Sequence, residues 1–215
     1  MSWVVVVPVK GTSGAKSRLG AVPEREVLAE AFALDTVTAL VAVSAVQRVF
    51  VVTGNSHLGE LLATLGAVIV PEAAFKPGGV TGHARLNAAI EQGVAAARRA
   101  CFDSNLAVMT GDLPALRPVD VEAAFALAAE HPRSMVPDTQ GGGTTALFAH
   151  AGVRLTPRFG CGSRAAHEAD GHVPLDLSPT SSMRRDVDTA ADLDAARVLG
   201  LGPHTIGLAA LIPKR

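Results

Sequence analysis

Aromatic residues and charge of either sign are scarce in this chain. Aromatics make up 4% of its 215 residues, with one tryptophan and no tyrosine. Carbohydrate sites commonly use aromatic rings as stacking surfaces, so this composition argues against a sugar acceptor. The 19 basic and 20 acidic residues leave a formal net charge of −1, so no global positive field would attract nucleic acid or an anionic membrane surface. We therefore expect a small-molecule partner, with neither nucleic acid nor membrane involved.

Cysteines and long apolar runs are also few. Cys101 and Cys161 lie far apart without paired spacing, which supports neither a disulfide framework nor a zinc site and fits a reducing cytoplasm. The apolar run from Trp3 to Val9 is too short for a signal or membrane segment, and the longer run that follows contains Glu30 and Asp35. The prediction is a soluble, cytoplasmic protein.

The apolar segments that are present alternate between strand and helix patterns. Hydrophobic residues amount to 48% of the chain, enough for one sizeable domain over 1–215, with a loose tail from about 204 to 215. Continuous apolar strands are predicted at 3–9, 48–53, 67–70 and 105–110, with helices between them, and a looser pattern of helix 119–130 and strands 134–137 and 144–148 follows. This rhythm predicts a single-domain α/β fold, Rossmann-like, with a mostly parallel central sheet.

The loop after the first strand carries glycines, hydroxyls and cations in the stretch KGTSGAKSRL. Gly11 and Gly14 would let backbone amides approach phosphate oxygens, and Lys10, Lys16 and Arg18 would neutralise them. The glycine spacing matches neither the P-loop nor the dinucleotide fingerprint. An ordinary surface loop with solvated lysines is the alternative, but the position directly after a strand favours phosphate binding.

Aspartates mark two further loops. Asp112 follows an apolar strand in MTGDLPAL, where it would either present a carboxylate at the sheet edge or simply close a turn. In RRDVDTAADL, Asp186 and Asp188 are two apart, so an extended segment would put both on one face. Asp188 or Thr189 would alternatively cap the helix that follows. Hard oxygen ligands near basic residues are what magnesium-assisted chemistry on phosphates requires.

Four separated motifs together resemble one family. PVKGTSGAKSRL, GDLPAL, GTTALF followed by PRFGCGS, and DVDTAADL occur in the order and spacing of the CofC/FbiD guanylyltransferases, over about residues 4–200. The resemblance implies a glycosyltransferase-A-type nucleotidyltransferase fold. It also implies transfer of GMP from GTP to the phosphate of a small three-carbon acid, with release of pyrophosphate, in the biosynthesis of the deazaflavin coenzyme F-420.

The resemblance also implies roles for individual residues. Magnesium would be held by Asp112 and Asp186, with Asp188 as an assistant. The acid acceptor would be bound by Thr145, Gly160 and Ser163, and the nucleotide by residues that include Lys10, Gly11, Gly14 and Asn87. Because a phosphate monoester is mostly dianionic at pH 7, the reaction needs no protein base, and the catalytic residues would be Lys16, Arg18, Asp112 and Asp186.

The acceptor and its surroundings leave alternatives open. Phosphoenolpyruvate is the expected acceptor, from the likeness of PRFGCGS and of the alanine- and valine-rich composition to the actinobacterial type of the family. 2-Phospholactate and 3-phosphoglycerate are alternatives, and a nucleotide-sugar-type transferase or a noncatalytic GTP-binding module are more distant ones. An enzyme that accepts the guanylated product would be the functional partner.

The segment from Gly160 to Ser163 is open to two interpretations as well. Gly160, Gly162 and Ser163 could be a turn and helix cap, or a helix start that receives the acceptor's carboxylate or phosphate. We expect His167, four residues after Ser163, to be a surface histidine rather than a catalytic partner. Arg158 would either clamp the acid or cover apolar surface with its stem.

Overall fold

The computed structural model describes residues 2–9, 25–73 and 82–210, and these residues build one seven-stranded sheet with helices on both faces. The strands are β1 Trp3–Val9, β2 Val46–Thr53, β3 Val68–Pro71, β4 Asn105–Met109, β5 Arg133–Pro137, β6 Thr144–Ala149 and β7 Val173–Pro174. The described helices are α1 Arg25–Val41, α2 Ser56–Thr64, α3 Gly82–Ala100, α4 Pro118–Ala128, α5 Ser163–Ala169, α6 Ala190–Leu199 and α7 Pro203–Ala209. A short 3-10 turn covers Ser182–Arg184.

The strand order is β3-β2-β1-β4-β6-β5-β7. β1 pairs in parallel with β2 and β4, and β2 pairs in parallel with β3, as crossover helices between successive strands require. β6 runs antiparallel to both of its neighbours, β4 and β5. The predicted mostly parallel α/β sheet is confirmed, and the carboxyl ends of β1, β2 and β4 meet at one edge of it.

Strand β1 is apolar throughout because both of its faces are covered. Val5 and Val7 belong to a core cluster with α1 and α4, whereas Val4 and Val6 face a second cluster with α3. Every residue of β1 is buried, so its valines leave water on both sides of the sheet. The central strand is thereby fixed, and the loop after it begins at the carboxyl edge.

The end of the described chain differs from the sequence-based expectation. Residues from about 204 were expected to form a loose tail, but Pro203–Ala209 form helix α7, and Thr205 is fully buried. The Asp35 carboxylate accepts hydrogen bonds from the backbone N–H groups of His204 and Thr205, both at 2.9 Å. A buried carboxylate on the first amides of a helix satisfies donors that have no partner within that helix. The tail expectation is wrong up to Ala209, and residues 211–215 lie outside the described part.

Two further features of the fold are the apolarity of its helices and the state of its cysteines. In the ranges that the structure describes, no helix combines the length and the apolarity that crossing a membrane would demand. Cys101 is buried and Cys161 is exposed, and both are free thiols.

Helix α6 begins with a complete capping box. The Thr189 hydroxyl accepts from the Asp192 backbone N–H at 3.2 Å, and the Asp192 carboxylate accepts from the Thr189 N–H at 2.8 Å. Of the two residues considered as cap, Thr189 is therefore the one that serves, which leaves the carboxylate of Asp188 outside the cap.

This assignment predicts unequal effects on stability. Thr189→Ala should lower the free energy of unfolding by about 1 kcal/mol. The Asp192 N–H would lose its side-chain acceptor, and the reciprocal bond from the Thr189 N–H to the Asp192 carboxylate would no longer be held by a complete capping box. Asp188→Ala should lower it by less, and urea denaturation followed by circular dichroism compares the two variants. A larger loss for Asp188→Ala than for Thr189→Ala would contradict the capping assignment.

Candidate active site

The predicted phosphate loop lies outside the described residues. Lys10, Gly11, Gly14, Lys16 and Arg18 all belong to the stretch 10–24, so their predicted roles stay predictions. The structure does fix where that loop begins. Val9 pairs with Thr53 of β2 on one side, and on the other side its side chain lies against Gly111, directly before Asp112.

The loop that carries Asp112 is held by neighbours on two sides. The Thr36 hydroxyl of α1 accepts from the Leu113 N–H at 3.1 Å and itself donates to the Phe32 carbonyl at 2.8 Å. The Pro114 carbonyl accepts from the Gly202 N–H at 2.8 Å. Asp112 thus lies at the carboxyl edge, beside the end of β1, and its role as a metal ligand stays a prediction.

A backbone hydrogen bond brings the second aspartate segment to the first. The N–H of Val187 donates to the carbonyl of Asp112 at 3.1 Å. Val187 is fully buried, whereas Asp186 is half-buried and Asp188 is exposed. This alternation is what an extended segment produces when its middle residue points into the core. Asp186 and Asp188 therefore flank the residue that is bonded to Asp112.

Helix α4 anchors the turn that leads into this segment. The Asp120 carboxylate accepts from the backbone N–H of Ser182 at 2.8 Å, from its hydroxyl at 2.5 Å and from Arg117. Burial by itself would raise the pKa of Asp120, but the bonds from Ser182 and Arg117 outweigh it and lower the pKa below its usual value. The carboxylate stays ionised and holds the turn against α4.

A small cavity of about 80 Å³ lies beside the aspartates. It is lined by Thr139, Gln140, Arg185, Asp186, Asp188 and Asp192. Within the described ranges, no group of three or more His, Cys, Asp or Glu side chains is placed to hold a metal ion by itself. Magnesium is commonly bound through one or two carboxylates together with water and substrate phosphates, so the predicted metal ligands stay a prediction.

The glycine-rich bend between β5 and β6 is a defined turn. The two carboxylate oxygens of Asp138 accept from the N–H groups of Gly142 at 3.0 Å and Gly143 at 2.9 Å. A Cβ on Gly143 would lie 2.3 Å from the Asp138 carboxylate, so a larger residue there would displace this carboxylate from the turn. The bend also contacts α5, because the Gly142 carbonyl accepts from the Arg164 N–H at 3.3 Å.

The three predicted acceptor residues are near neighbours but face different ways. The Ser163 N–H donates to the Gly160 carbonyl at 3.1 Å, and its hydroxyl donates to Thr144 Oγ1 at 3.3 Å. Thr145, one residue further along β6, points to the other face, where its hydroxyl donates to the Met183 carbonyl at 2.6 Å. The Thr145 hydroxyl is thus engaged within the protein. Thr144, which sequence reasoning did not single out, is the threonine that contacts Ser163.

Helix α5 itself is short. It runs over Ser163–Ala169, and its cap is Gly162 in the left-handed conformation with φ of 68°, without a side-chain cap bond. Ser163 is therefore the first helical residue rather than the cap. The amides of so short a helix do not by themselves make an anion site, and any contact to the acceptor needs the surrounding loop as well.

His167 is where the structure contradicts the sequence interpretation most clearly. It was expected at the surface, but its exposed fraction is 0%. Its Nδ1 lies 3.0 Å from Thr144 Oγ1, and its Nε2 accepts from the backbone N–H of Arg158 at 2.9 Å. Burial lowers the pKa of His167 to about 4, with the neighbouring His172 adding to the shift. The surface position was expected from the place of His167 on a short helix four residues after Ser163, whereas the ring packs against Thr144, Phe159 and His172.

Asn87 and His83 of α3 hold the same loop from the other side. Asn87 accepts from the Phe159 N–H at 2.8 Å and donates to the Phe159 carbonyl at 3.0 Å. A Cβ on Gly160, whose φ is +142°, would lie 2.8 Å from the His83 ring. Both amide atoms of Asn87 are engaged with backbone, and its predicted contact with the nucleotide stays a prediction. The Arg158 guanidinium lies 3.4 Å from the Asp170 carboxylate, half-exposed.

A second, larger cleft of about 410 Å³ opens at the carboxyl ends of β2 and β3. Its lining includes Gly54, Asn55 and Glu72. The Glu72 carboxylate accepts two hydrogen bonds from the Arg85 guanidinium, at 2.7 and 2.8 Å. Asn55 caps α2 and also donates to Glu30 at 3.2 Å. Thr53, which also lines the cleft, pairs with Val9 at the end of β1. Sequence reasoning gave no signal for Glu72 beyond its position after an apolar strand.

The buried imidazole predicts a pH dependence of stability. The folded pKa of His167, about 4, lies below the ordinary value of 6.5. The unfolded chain therefore binds more protons between these pH values, and the free energy of unfolding should fall as the pH drops from 6.5 towards 4. The contribution of His167 is at most about 3 kcal/mol. The neighbouring ionisable groups that affect the pKa of His167 are Asp170, Arg158 and His172. Burial also lowers the pKa of His172.

Urea denaturation at several pH values tests this in the wild type and in His167→Gln. The slope of unfolding free energy against pH should be shallower in the variant, by up to about one bound proton. Equal slopes would contradict a buried neutral His167.

Two solved structures resemble the fold of this chain. The fold resembles a putative nucleotide-diphospho-sugar transferase from Desulfovibrio desulfuricans G20, with a TM-score of 0.66, 16% identity and coverage of 98% of this chain and 95% of the other. It also resembles a 4-diphosphocytidyl-2C-methyl-D-erythritol synthase, with a TM-score of 0.61, 13% identity and coverage of 92% and 98%. These likenesses confirm the expected glycosyltransferase-A-type nucleotidyltransferase fold.

Sequence relatives are much more similar. A phosphoenolpyruvate guanylyltransferase of Streptomyces coelicolor is 46% identical over 213 residues, which cover 98% of this chain and 97% of the relative. One from Streptomyces scabiei is 47% identical over 218 residues, with 99% of each chain covered. The family model described as "Guanylyl transferase CofC like" matches residues 3–205. The chain belongs to the CofC-like guanylyltransferase family, as its four motifs predicted.

Proposed function

We propose that this chain transfers GMP from GTP to the phosphate of phosphoenolpyruvate and releases pyrophosphate. Support comes from the family and from the names of relatives that match nearly the whole chain. The observation that carries the proposal within the structure is the bond from the Val187 N–H to the Asp112 carbonyl, at 3.1 Å. It unites two carboxylate-bearing segments at the carboxyl edge of the sheet, where α/β folds bind their ligands.

The proposed reaction depends on the alignment of its two substrates more than on proton transfer. The acceptor phosphate has a second pKa near 6, so at neutral pH it is already largely the dianionic nucleophile. Its oxygen would attack the α-phosphorus of GTP while the bond from that phosphorus to the bridging oxygen of the leaving pyrophosphate breaks. The protein would hold both phosphates in line and stabilise the charge on the leaving group, with Lys16 and Arg18 as the proposed cations.

Magnesium is the proposed cofactor, and the donor set fits it. Asp112 and Asp186 supply hard carboxylate oxygens from adjacent backbone segments, and Asp188, which is exposed and outside the helix cap, can assist. Such a set suits a cation that completes its shell with water and phosphate oxygens. When bound, the ion would neutralise phosphate charge. The aspartates would orient it at the edge next to the end of β1.

The acceptor would lie towards the β6 side of the same edge. The Asp138-bound turn, the 157–162 loop and Ser163 adjoin there through the bonds from Arg164 to Gly142 and from Ser163 to Gly160. This step would belong to the biosynthesis of the deazaflavin coenzyme F-420, and the guanylated product would pass to an enzyme that consumes it.

The first experiment concerns the aspartates. Asp112→Asn and Asp186→Asn should each lower pyrophosphate release by about 100-fold or more, because each removes a ligand charge without opening a core cavity. Asp103→Asn, an exposed aspartate at the opposite edge of the sheet, is the matched control and should retain activity. Circular dichroism and thermal unfolding establish that the variants remain folded. Full activity of Asp112→Asn would sink the metal assignment.

The second experiment concerns the acceptor. The protein is incubated with GTP, magnesium and one acid at a time, and pyrophosphate and the mass of the guanylated product are followed. Phosphoenolpyruvate should turn over faster than 2-phospholactate or 3-phosphoglycerate, by about tenfold or more, the scale that small differences in substrate shape produce. A parallel reaction with a chelator should give no product. Preference for another acid would overturn the acceptor, and no product from any acid would overturn the reaction class.

A further inference from the structure

One side chain outside the predicted site connects all of the segments that surround the acceptor position. His167 of α5 contacts Thr144 of β6 through Nδ1 and the Arg158 backbone through Nε2. Its ring also packs edge-on against Phe159, with ring centroids 5.2 Å apart. Thr144 in turn receives the Ser163 hydroxyl at 3.3 Å. Strand, loop and helix are thus joined through one imidazole.

The hydrogen-bond partners determine the form of the ring. A backbone N–H can only donate, so the bond from Arg158 requires an unprotonated Nε2. The neutral ring then carries its proton on Nδ1 and donates it to Thr144 Oγ1. Thr144 accepts from both His167 and Ser163, and its own proton is directed to Met135 Sδ at 3.8 Å. Every donor in this network therefore has an acceptor. Reversing the ring tautomer would remove the bond from Arg158 and would turn the Thr144 proton away from Met135 Sδ and towards Nδ1.

We propose that His167 is a positioning residue of the acceptor subsite, which holds the 157–162 loop and the start of α5 at Ser163 in place through its neutral Nδ1–H form. The inference rests on the proposed function, in which Gly160 and Ser163 receive the acid acceptor. His167 is fully buried, so it would not touch the substrate itself. It acts through the backbone of Arg158 and through Thr144.

The location of these contacts predicts which kinetic constant changes. Thr144 follows the Asp138-bound turn, and its neighbour Thr145 bonds through its carbonyl to the Thr110 N–H, two residues before Asp112. The network therefore lies on the β6 side of the aspartates, away from the end of β1. Loss of His167 should displace the acceptor loop and so raise the KM for phosphoenolpyruvate. The binding of GTP should change little.

The test compares three variants with a matched control. His167→Gln and Thr144→Val should raise the KM for phosphoenolpyruvate about tenfold or more, because each removes a bond of the network. Thr144→Ser keeps the hydroxyl and should restore most of the wild-type KM. His150→Gln makes the same substitution at a partly buried histidine at the opposite edge of the sheet, whose ring Nε2 lies 3.2 Å from the Ala128 carbonyl, and should leave both KM values unchanged.

Two further measurements separate positioning from general destabilisation. Nitrogen-15 NMR of the wild type should show His167 protonated at Nδ1 and bare at Nε2 at pH 7. Thermal shift with GTP alone should be the same in wild type and His167→Gln, whereas the shift with phosphoenolpyruvate should be lost. Thr144→Val, which keeps the side-chain volume, provides the result if His167→Gln does not fold.

The outcomes distinguish the inference from the function on which it rests. If the wild type guanylates none of the acids, the proposed function is wrong. If the wild type is active but Thr144→Val and His167→Gln keep the wild-type KM for phosphoenolpyruvate, the inference is wrong and the network is only structural. An equal rise in both KM values, or an Nε2-protonated ring, would overturn it as well.

Discussion

The bond between the Val187 N–H and the Asp112 carbonyl, 3.1 Å long, is the contact on which the site depends. It is maintained by burial, because Val187 packs with Leu28, Phe32 and Leu193 in a cluster under the carboxyl edge. Two segments that are far apart in the chain, each carrying an aspartate, are thereby joined through their backbones. The burial of Val187 therefore stabilises the pairing of the segment before α6 with the loop after β4.

The remaining part of the site is built differently. The parallel strands end at the edge where the nucleotide phosphates are proposed to lie, and this is the usual arrangement of α/β folds. β6 is antiparallel to its neighbours, so its beginning rather than its end lies at that edge. The hairpin from β5, the 157–162 loop and α5 can therefore approach the aspartates. Buried polar bonds through His167 and Thr144 hold these irregular segments, for which apolar packing alone would not define one conformation.

The outcome of the sequence predictions follows from the range of the interactions involved. β1, β2 and β4 were predicted correctly because continuous apolar runs have few alternatives once both faces of a sheet are covered. α7 was missed because it is held by the distant Asp35 carboxylate rather than by its own pattern. His167 was misplaced because α5 is too short for its periodicity to indicate which side is covered.

The amino-acid sequence by itself determined the α/β class, the mostly parallel sheet and the family, because apolar periodicity and the motifs are local properties of the chain. The tertiary structure alone decided that Thr189 rather than Asp188 caps α6, that Thr144 rather than Thr145 contacts Ser163, and that His167 is buried. Each of these depends on which groups meet across the fold. A hydrogen bond needs its partner within about 3 Å in a suitable direction, and spacing along the chain does not specify that.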